Sequence, residues 1–273
     1  MTSSRPTVSA RDLSLRYPSR NPETRSVAVN GLSFDIAEGE VLTVVGESGS
    51  GKSTLAKAVA LQAETGAYGS PLFSGGLLSV MGVELRSVSR RKRDRLSLRV
   101  GYLPQDAGTH LNGRLTIGEN IAEPIFVRDR RFNQREAAEA VATLIDTVRL
   151  PLATMNRYPY ELSKGQRQRV AIARSMILEP QLLVADDPTA GIDINARAAI
   201  LDLIVGLQKE RAFSALLVTA DLAAVRRIST NVAVMHRGIV VGIGELDEVL
   251  SDPWHPYVQG LAHSLAELHR EQH

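Results

Sequence analysis

The stretch "GESGSGKST" at residues 46–54 constrains the architecture more than any other part of the chain. It fits the pattern G-x-x-x-x-G-K-[ST]. It follows an apolar run, Val41–Val45, and opens a helical stretch, "STLAKAVALQA". In that setting the pattern reads as a phosphate loop. Gly46, Gly49 and Gly51 let the backbone curl so that its N–H groups face phosphates. A helix N-terminus beneath them adds a partial positive charge. Lys52 is expected to reach the β- and γ-phosphates, and Ser53 to offer its hydroxyl to Mg²⁺. The whole loop is the expected nucleotide-binding set: Gly46, Glu47, Ser48, Gly49, Ser50, Gly51, Lys52, Ser53 and Thr54.

Such a loop works with an acid at the end of a neighbouring strand. "LLVADDPTAGID" (182–193) supplies two, Asp186 and Asp187. Asp186 is the expected Mg²⁺ ligand.

The rest of the chain suits this core. Residues 7–17 alternate as a half-buried strand does, and "GLSFDIAEGEVLTVVG" (31–46) reads as two strands about a Gly turn. "QLLVADD" and "FSALLVTAD" are apolar runs separated by the helix "NARAAILDLIVGLQKERA". Strands alternating with helices predict a parallel α/β sheet. "VAVMHRGIVVGIG" predicts a hairpin turning at "HRG". Residues 115–178 read as helical, with breaks at Pro124, Pro151 and Pro159.

Composition narrows the possibilities. The 273 residues are 44% apolar, as in a globular chain with ample core. Absence of cysteine excludes disulfides and thiolate metal sites. No apolar run reaches the ~18 residues of a membrane span, and "MTSSRPTVSARD" lacks the apolar core of a signal peptide. The basic run at 86–99, "RSVSRRKRDRLSLR", has no interleaved aromatics. It reads as a solvated helix face, and no nucleic-acid partner is expected.

Between the loop and the acids lies "ELSKGQRQRVAIARSMILEP" (161–180). It resembles the LSGGQ signature of ABC-transporter ATPases, as Ser163, Lys164, Gly165 and Gln166 after Leu162. Gln105 in "YLPQD" looks like that family's Q-loop glutamine, which joins Ser53 and Asp186 as a Mg²⁺-site residue. Asp193 in "AGID" looks like the D-loop acid, and Tyr17 stands where the family stacks an aromatic ring on adenine. "THLNGRLTIGENIAEP" (109–124) and "DPWHPYVQGL" (252–261) resemble the importer ATPases for dipeptides, oligopeptides and nickel. Some members carry a cysteine cluster after H-P-Y, which this chain lacks.

The resemblance implies a P-loop (RecA-like) parallel-sheet core with an N-terminal antiparallel β-subdomain and a helical subdomain. The chain would be a single ATP-binding domain over 1–273. Its nucleotide-binding core would span about 1–105 and 180–245, its helical subdomain about 106–179, and its H-P-Y-type tail 246–273. ATP and Mg²⁺ are the implied cofactors. The implied partners are a second ATPase subunit paired head to tail, two transmembrane permeases and, indirectly, an extracytoplasmic solute-binding protein. The location would be the cytoplasmic face of the membrane. In the pair, Ser163 N-caps a helix whose N-terminus faces the other subunit's γ-phosphate.

Three positions depart from the family. Asp187 stands where it has a glutamate base, and its carboxylate is set back by about one bond length. Ala220 in "LVTADL" replaces the switch histidine. Lys164 replaces a glycine, and the bland reading of that lysine is a side chain in solvent. His236, beyond the next helix, reads as a hairpin-turn residue and not as a substitute for the missing histidine. The first two losses fall on the same water and phosphate, so slow hydrolysis is expected at this chain's own site, within an asymmetric heterodimer. A nickel or chelated-metal importer subunit and a non-transport ATP-binding regulator are the alternatives.

Overall fold

The computed structural model describes residues 5–18, 27–64, 69–228 and 231–270. Two sheets organise it. The first is antiparallel, in the order β2 (Val27–Ile36), β1 (Val8–Arg16), β4 (Leu72–Val80), β5 (Val83–Glu84). The second has six strands, in the order β10 (Ile239–Glu245), β9 (Asn231–His236), β3 (Val41–Val45), β8 (Ser214–Thr219), β7 (Leu182–Asp186), β6 (Val100–Leu103). β9, β3, β8, β7 and β6 run parallel, and β10 returns antiparallel as the predicted hairpin. The turn at Glu38–Gly39 carries the chain from one sheet to the other, so β2 and β3 do not pair.

β7 and β8 are buried at every residue. That is why they read as unbroken apolar runs: a parallel strand covered on both faces has no solvent side to alternate with. One face meets the antiparallel sheet and α1 (Lys52–Val59), where Leu42, Val44, Leu182, Val184 and Leu216 join Leu13, Leu15, Leu55 and Leu78. The other face meets α3 (Ile117–Arg128), α4 (Gln134–Thr147), α5 (Lys164–Met176) and α6 (Ile194–Arg211), through Leu183, Ala185 and Leu217. α7 (Leu222–Ile228), α8 (Leu246–Ser251) and α9 (Pro256–Arg270) follow. Val225, Leu246 and Val258 from them close a third apolar cluster with Val45 and Val234.

The basic run forms the short helix α2 (Arg90–Ser97), with only Leu96 buried, as a solvated face requires. One expectation fails. Pro124 does not break the helical stretch but lies inside α3. A proline there leaves the carbonyl four residues back without its N–H. Arg174 on α5 donates to that orphan, Asn120 O, at 3.0 Å. It also pairs with Glu123. A distant arginine thus offsets the local cost. Among the described residues, no helix is long and apolar enough to cross a membrane.

Candidate functional site

Register brings the site together. Val45 pairs with Thr219, Asp186 with Val218, and Leu103 with Ala185. The carboxyl ends of β3, β8, β7 and β6 therefore lie side by side, and the loops leaving them share one edge. That edge is where open α/β sheets bind ligands. It gathers the phosphate loop, Ala220, Asp186 with Asp187, and Gln105.

The loop's glycines answer to neighbouring strands as well as to curvature. At Gly51 (φ 102°) an added Cβ would stand 2.1 Å from the Ala28 carbonyl oxygen, and at Gly46 2.1 Å from that of Met235. Both obstacles are backbone, so a side chain at either position forces the strand to shift. The buried Lys52 folds back on the loop. Its Nζ donates to Gly46 O and to Glu47 O, each at 2.7 Å. Burial lowers its pKa, against the opposing pull of Asp187 and Asp186. Its charge rests on two carbonyls of the loop, contacts that a phosphate can replace with a stronger one.

Ser53 Oγ donates to Asp186 Oδ1 at 2.8 Å. Asp186 is 3% exposed, and burial raises its pKa while Ser53, Lys57 and Lys52 pull it down. A buried carboxylate without an ion pair is costly, so a cation held beside it would supply the missing charge. The pair of oxygens suits a hard ion whose other positions go to water and phosphate. Among the described residues no cluster of three His, Cys, Asp or Glu forms a closed metal cage. Gln105 lines the adjoining cleft of about 370 Å³ with Ser53, Asp186, Lys57 and Tyr102. The three expected Mg²⁺-site residues are thus neighbours.

Asp187 follows with a left-handed backbone, φ 47°. An aspartate tolerates that conformation better than most side chains. Its N–H donates to Val218 O at 2.8 Å, and its Oδ1 accepts from Thr219 Oγ1 at 3.5 Å. Burial and the adjacent Asp186 charge raise its pKa. Ala220 is exposed at the bend after β8, with only a methyl group to offer. His236 ends β9 and stacks on Tyr257, with ring centroids 4.5 Å apart.

Tyr17 Oη accepts from Thr54 Oγ1 at 3.3 Å, and Lys57 Nζ lies 6.0 Å from its ring centroid. The tyrosine therefore sits at the mouth of the loop, half-buried.

Ser163 N-caps α5 through a reciprocal capping box. Its Oγ accepts from Gln166 N at 3.2 Å, and Gln166 Oε1 accepts from Ser163 N at 2.9 Å. Lys164 does not run free into solvent. Its Nζ pairs with Asp106 Oδ1 at 3.7 Å and lies over Gly191, where an added Cβ would meet it at 2.1 Å. The residue after Gln105 and the glycine before Asp193 thus accommodate a cation that the helix dipole disfavours. Gly165 approaches Ala196 at the start of α6. Asp193 N-caps that helix by accepting from Ala196 N at 3.0 Å.

Three contributors went unread in the sequence. Gln168 is buried and joins two loops, accepting from Gly108 N at 3.2 Å and donating to Pro188 O at 2.8 Å. Arg197 pairs with Asp221 at 3.5 Å, linking the Asp193 loop to the Ala220 bend. Tyr102, whose pKa burial raises, packs near Asp186. The sole clue to Gln168 was an uncharged residue between arginines.

Known proteins of similar sequence and fold place the chain in a family. Residues 29–190 match the profile of the ABC transporter family. The di/tripeptide transport ATP-binding protein DppF of Pseudomonas aeruginosa (strain UCBPP-PA14) is 35% identical over 266 residues, covering 96% of this chain and 80% of its own. The oligopeptide transport ATP-binding protein OppF of Escherichia coli (strain K12) is 38% identical over 234 residues, 86% of this chain and 68% of its own. Among solved structures, the dimeric ATP-binding cassette MJ0796 bound to ADP and Pi superposes with a TM-score of 0.76 at 24% identity. That match covers 88% of this chain and 98% of the other. With the phosphate loop and the paired acids on one sheet edge, the chain belongs to the ABC transporter family as an ATP-binding member.

Proposed function

We propose that this chain is the ATP-binding subunit of a membrane importer for peptides or a related small solute, and the catalytically weak half of an ATPase heterodimer. Solute class follows the two peptide-transport relatives. The single ATP-binding domain would act at the cytoplasmic face of the membrane. It would work with a second ATPase subunit, two permeases and an extracytoplasmic solute-binding protein. A groove of about 620 Å³ lined by α3, α4 and Met155 offers the helical region a place to receive a permease.

The loop Gly46–Thr54 would bind the nucleotide phosphates, with Lys52 turning from its carbonyls to them. Ser53, Asp186 and Gln105 would hold Mg²⁺, which neutralises phosphate charge when bound, and Tyr17 would face the base. Ser163, Lys164, Gly165 and Gln166 would complete the partner's site, with Asp193 shaping the interface. A base that orients water contributes ~10²–10⁴ in rate.

One observation carries the asymmetry: Asp187 turns its short carboxyl to Thr219, and the next residue, Ala220, has no polar side-chain atom to hold a phosphate or water. The binding parts are intact beside this loss. The test compares ATP turnover of the assembled transporter carrying Asp187→Asn with that carrying the matching change in the partner. The partner's change should abolish turnover and Asp187→Asn should leave most of it; equal losses would sink the proposal.

A further inference from the structure

The pairing of β6 with β7 stops just short of the expected cation site. Their last paired residues are Leu103 and Ala185. Asp186 follows that rung directly on β7, and Gln105 follows it after Pro104 on the other side. Beyond the rung the chain leaves as two separate loops, and two side chains of α5 join them again.

Gln168 is the buried one, 4% exposed. Its Oε1 accepts from Gly108 N at 3.2 Å, shortly after Gln105. Its Nε2 donates to Pro188 O at 2.8 Å, shortly after Asp186. The two loops thus present opposite polarities, an N–H and a carbonyl. A primary amide answers both with one planar group. An ionised carboxylate, a thioether or an ammonium of similar reach does not. The turn Ala107–Thr109 also rests directly on the helix backbone: a Cβ added at Gly108 would stand 3.0 Å from Arg167 C and from Gln168 N. Lys164, one turn earlier on the same face of α5, spans the same loops at their rim, with Asp106 on one side and Gly191 on the other. That ion pair is exposed and weakened by solvent, so the buried amide is the firmer link.

We infer that Gln168 is a positioning residue for the Mg²⁺ site, fixing the Gln105 loop against the Asp186 strand end where the sheet no longer does so. The inference rests on those two residues holding the cation, as proposed above. Mg²⁺ requires near-ideal octahedral geometry. Donors carried on two separate loops therefore need a set separation, and the amide sets it before the ion arrives.

The test is calorimetric titration of the full chain with a non-hydrolysable ATP analogue, once in Mg²⁺ and once with chelator. The ratio of the two Kd values is the gain in affinity that Mg²⁺ confers. Gln168→Met keeps the length of the side chain and loses both bonds. It should cut that gain about 10-fold, the scale on which residues behind a metal ligand act, and leave the Kd in chelator unchanged. Gly108→Ala pushes the turn off α5 with the amide intact and should cut the gain likewise; it stands in for Gln168→Met should that variant not fold. Ile145→Val thins the same apolar cluster from α4. It should lower the melting temperature while keeping the wild-type gain. A wild-type gain in Gln168→Met overturns the inference. So does an equal loss of affinity in both conditions, or a loss of gain in Ile145→Val as large as in Gln168→Met. Asp186→Asn separates the two readings. If it too keeps the gain, the cation site itself is wrong; if it alone loses the gain, only the role of Gln168 falls.

Discussion

The Thr219 hydroxyl donates to Asp187 Oδ1 at 3.5 Å. This contact turns the carboxylate toward the end of β8, whose next residue is Ala220. Asp187 and Ala220, proposed above as a shortened base and a lost switch histidine, are therefore adjacent across one strand pair, β7 with β8. Repair of either should matter less than repair of both. Asp187→Glu with Ala220→His should raise turnover at this site ~10²–10⁴-fold, and each single change should give less. The measurement is ATPase activity of the assembled transporter with the partner's base disabled; an unchanged rate in the double variant would refute the account.

Asp186 and Ser53 form the other pair at that edge. Asp186→Asn should weaken nucleotide binding at least ~10-fold in Mg²⁺. With Mg²⁺ chelated, the same variant should bind no worse than wild type, because a buried carboxylate then only repels phosphate. Titration with and without chelator checks this, and equal losses in both conditions would remove Asp186 from the cation site.

Lys164 and Asp106 are each 44% exposed and 3.7 Å apart. Such a pair contributes under ~1 kcal/mol to stability, so Lys164→Ala should barely move the melting temperature. Its cation stands at the helix end expected to face the partner's nucleotide. Loss of that charge should slow partner-site turnover, and Lys164→Arg should restore it. An Ala variant with full turnover would make the lysine inert.

Arg174 satisfies the Asn120 carbonyl that Pro124 orphans. Arg174→Ala should cost ~1–3 kcal/mol, the penalty for a buried polar group left unpaired. Pro124→Ala restores the helical N–H, so the double variant should be less destabilised than additivity predicts. Denaturant melts of the four proteins test this, and strict additivity would contradict it.

Arg227 holds Asp202 in a two-pronged contact, Nε to Oδ1 at 2.6 Å and Nη2 to Oδ2 at 3.2 Å. That bond lowers the Asp202 pKa below its usual 3.8. A depressed carboxyl binds fewer protons folded than unfolded, so its stabilisation is present above the unfolded pKa and fades as pH falls through the folded one. Arg227→Gln should therefore melt slightly below wild type at pH 7. The difference should vanish at acid pH, and a gap that persists there would point to packing instead of charge.

Much of this site was legible in the chain. Gly46–Thr54 needs glycines, a lysine and a hydroxyl at fixed spacing along one contiguous turn, which any reader of the sequence can measure. β7 and β8 announced themselves as apolar runs because both their faces are covered. Ser163 could be read as a cap because its bonds close within three residues. Pro124 was misread for the complementary reason. Locally a proline breaks a helix, and its rescuer lies 50 residues on, at Arg174.

Lys164 and Tyr257 show the same boundary. The chain shows a lysine where the family has glycine, but its link to Asp106 requires that two loops meet above Gly191. It shows an H-P-Y tail, but the stack of Tyr257 on His236 depends on how α9 packs against β9 and β10. Backbone conformation and helix caps follow from neighbouring residues, whose interactions are short-range in sequence. Which charges pair, which orphaned carbonyl is satisfied and what braces the phosphate loop follow from packing, which sets distances between segments that no spacing along the chain encodes.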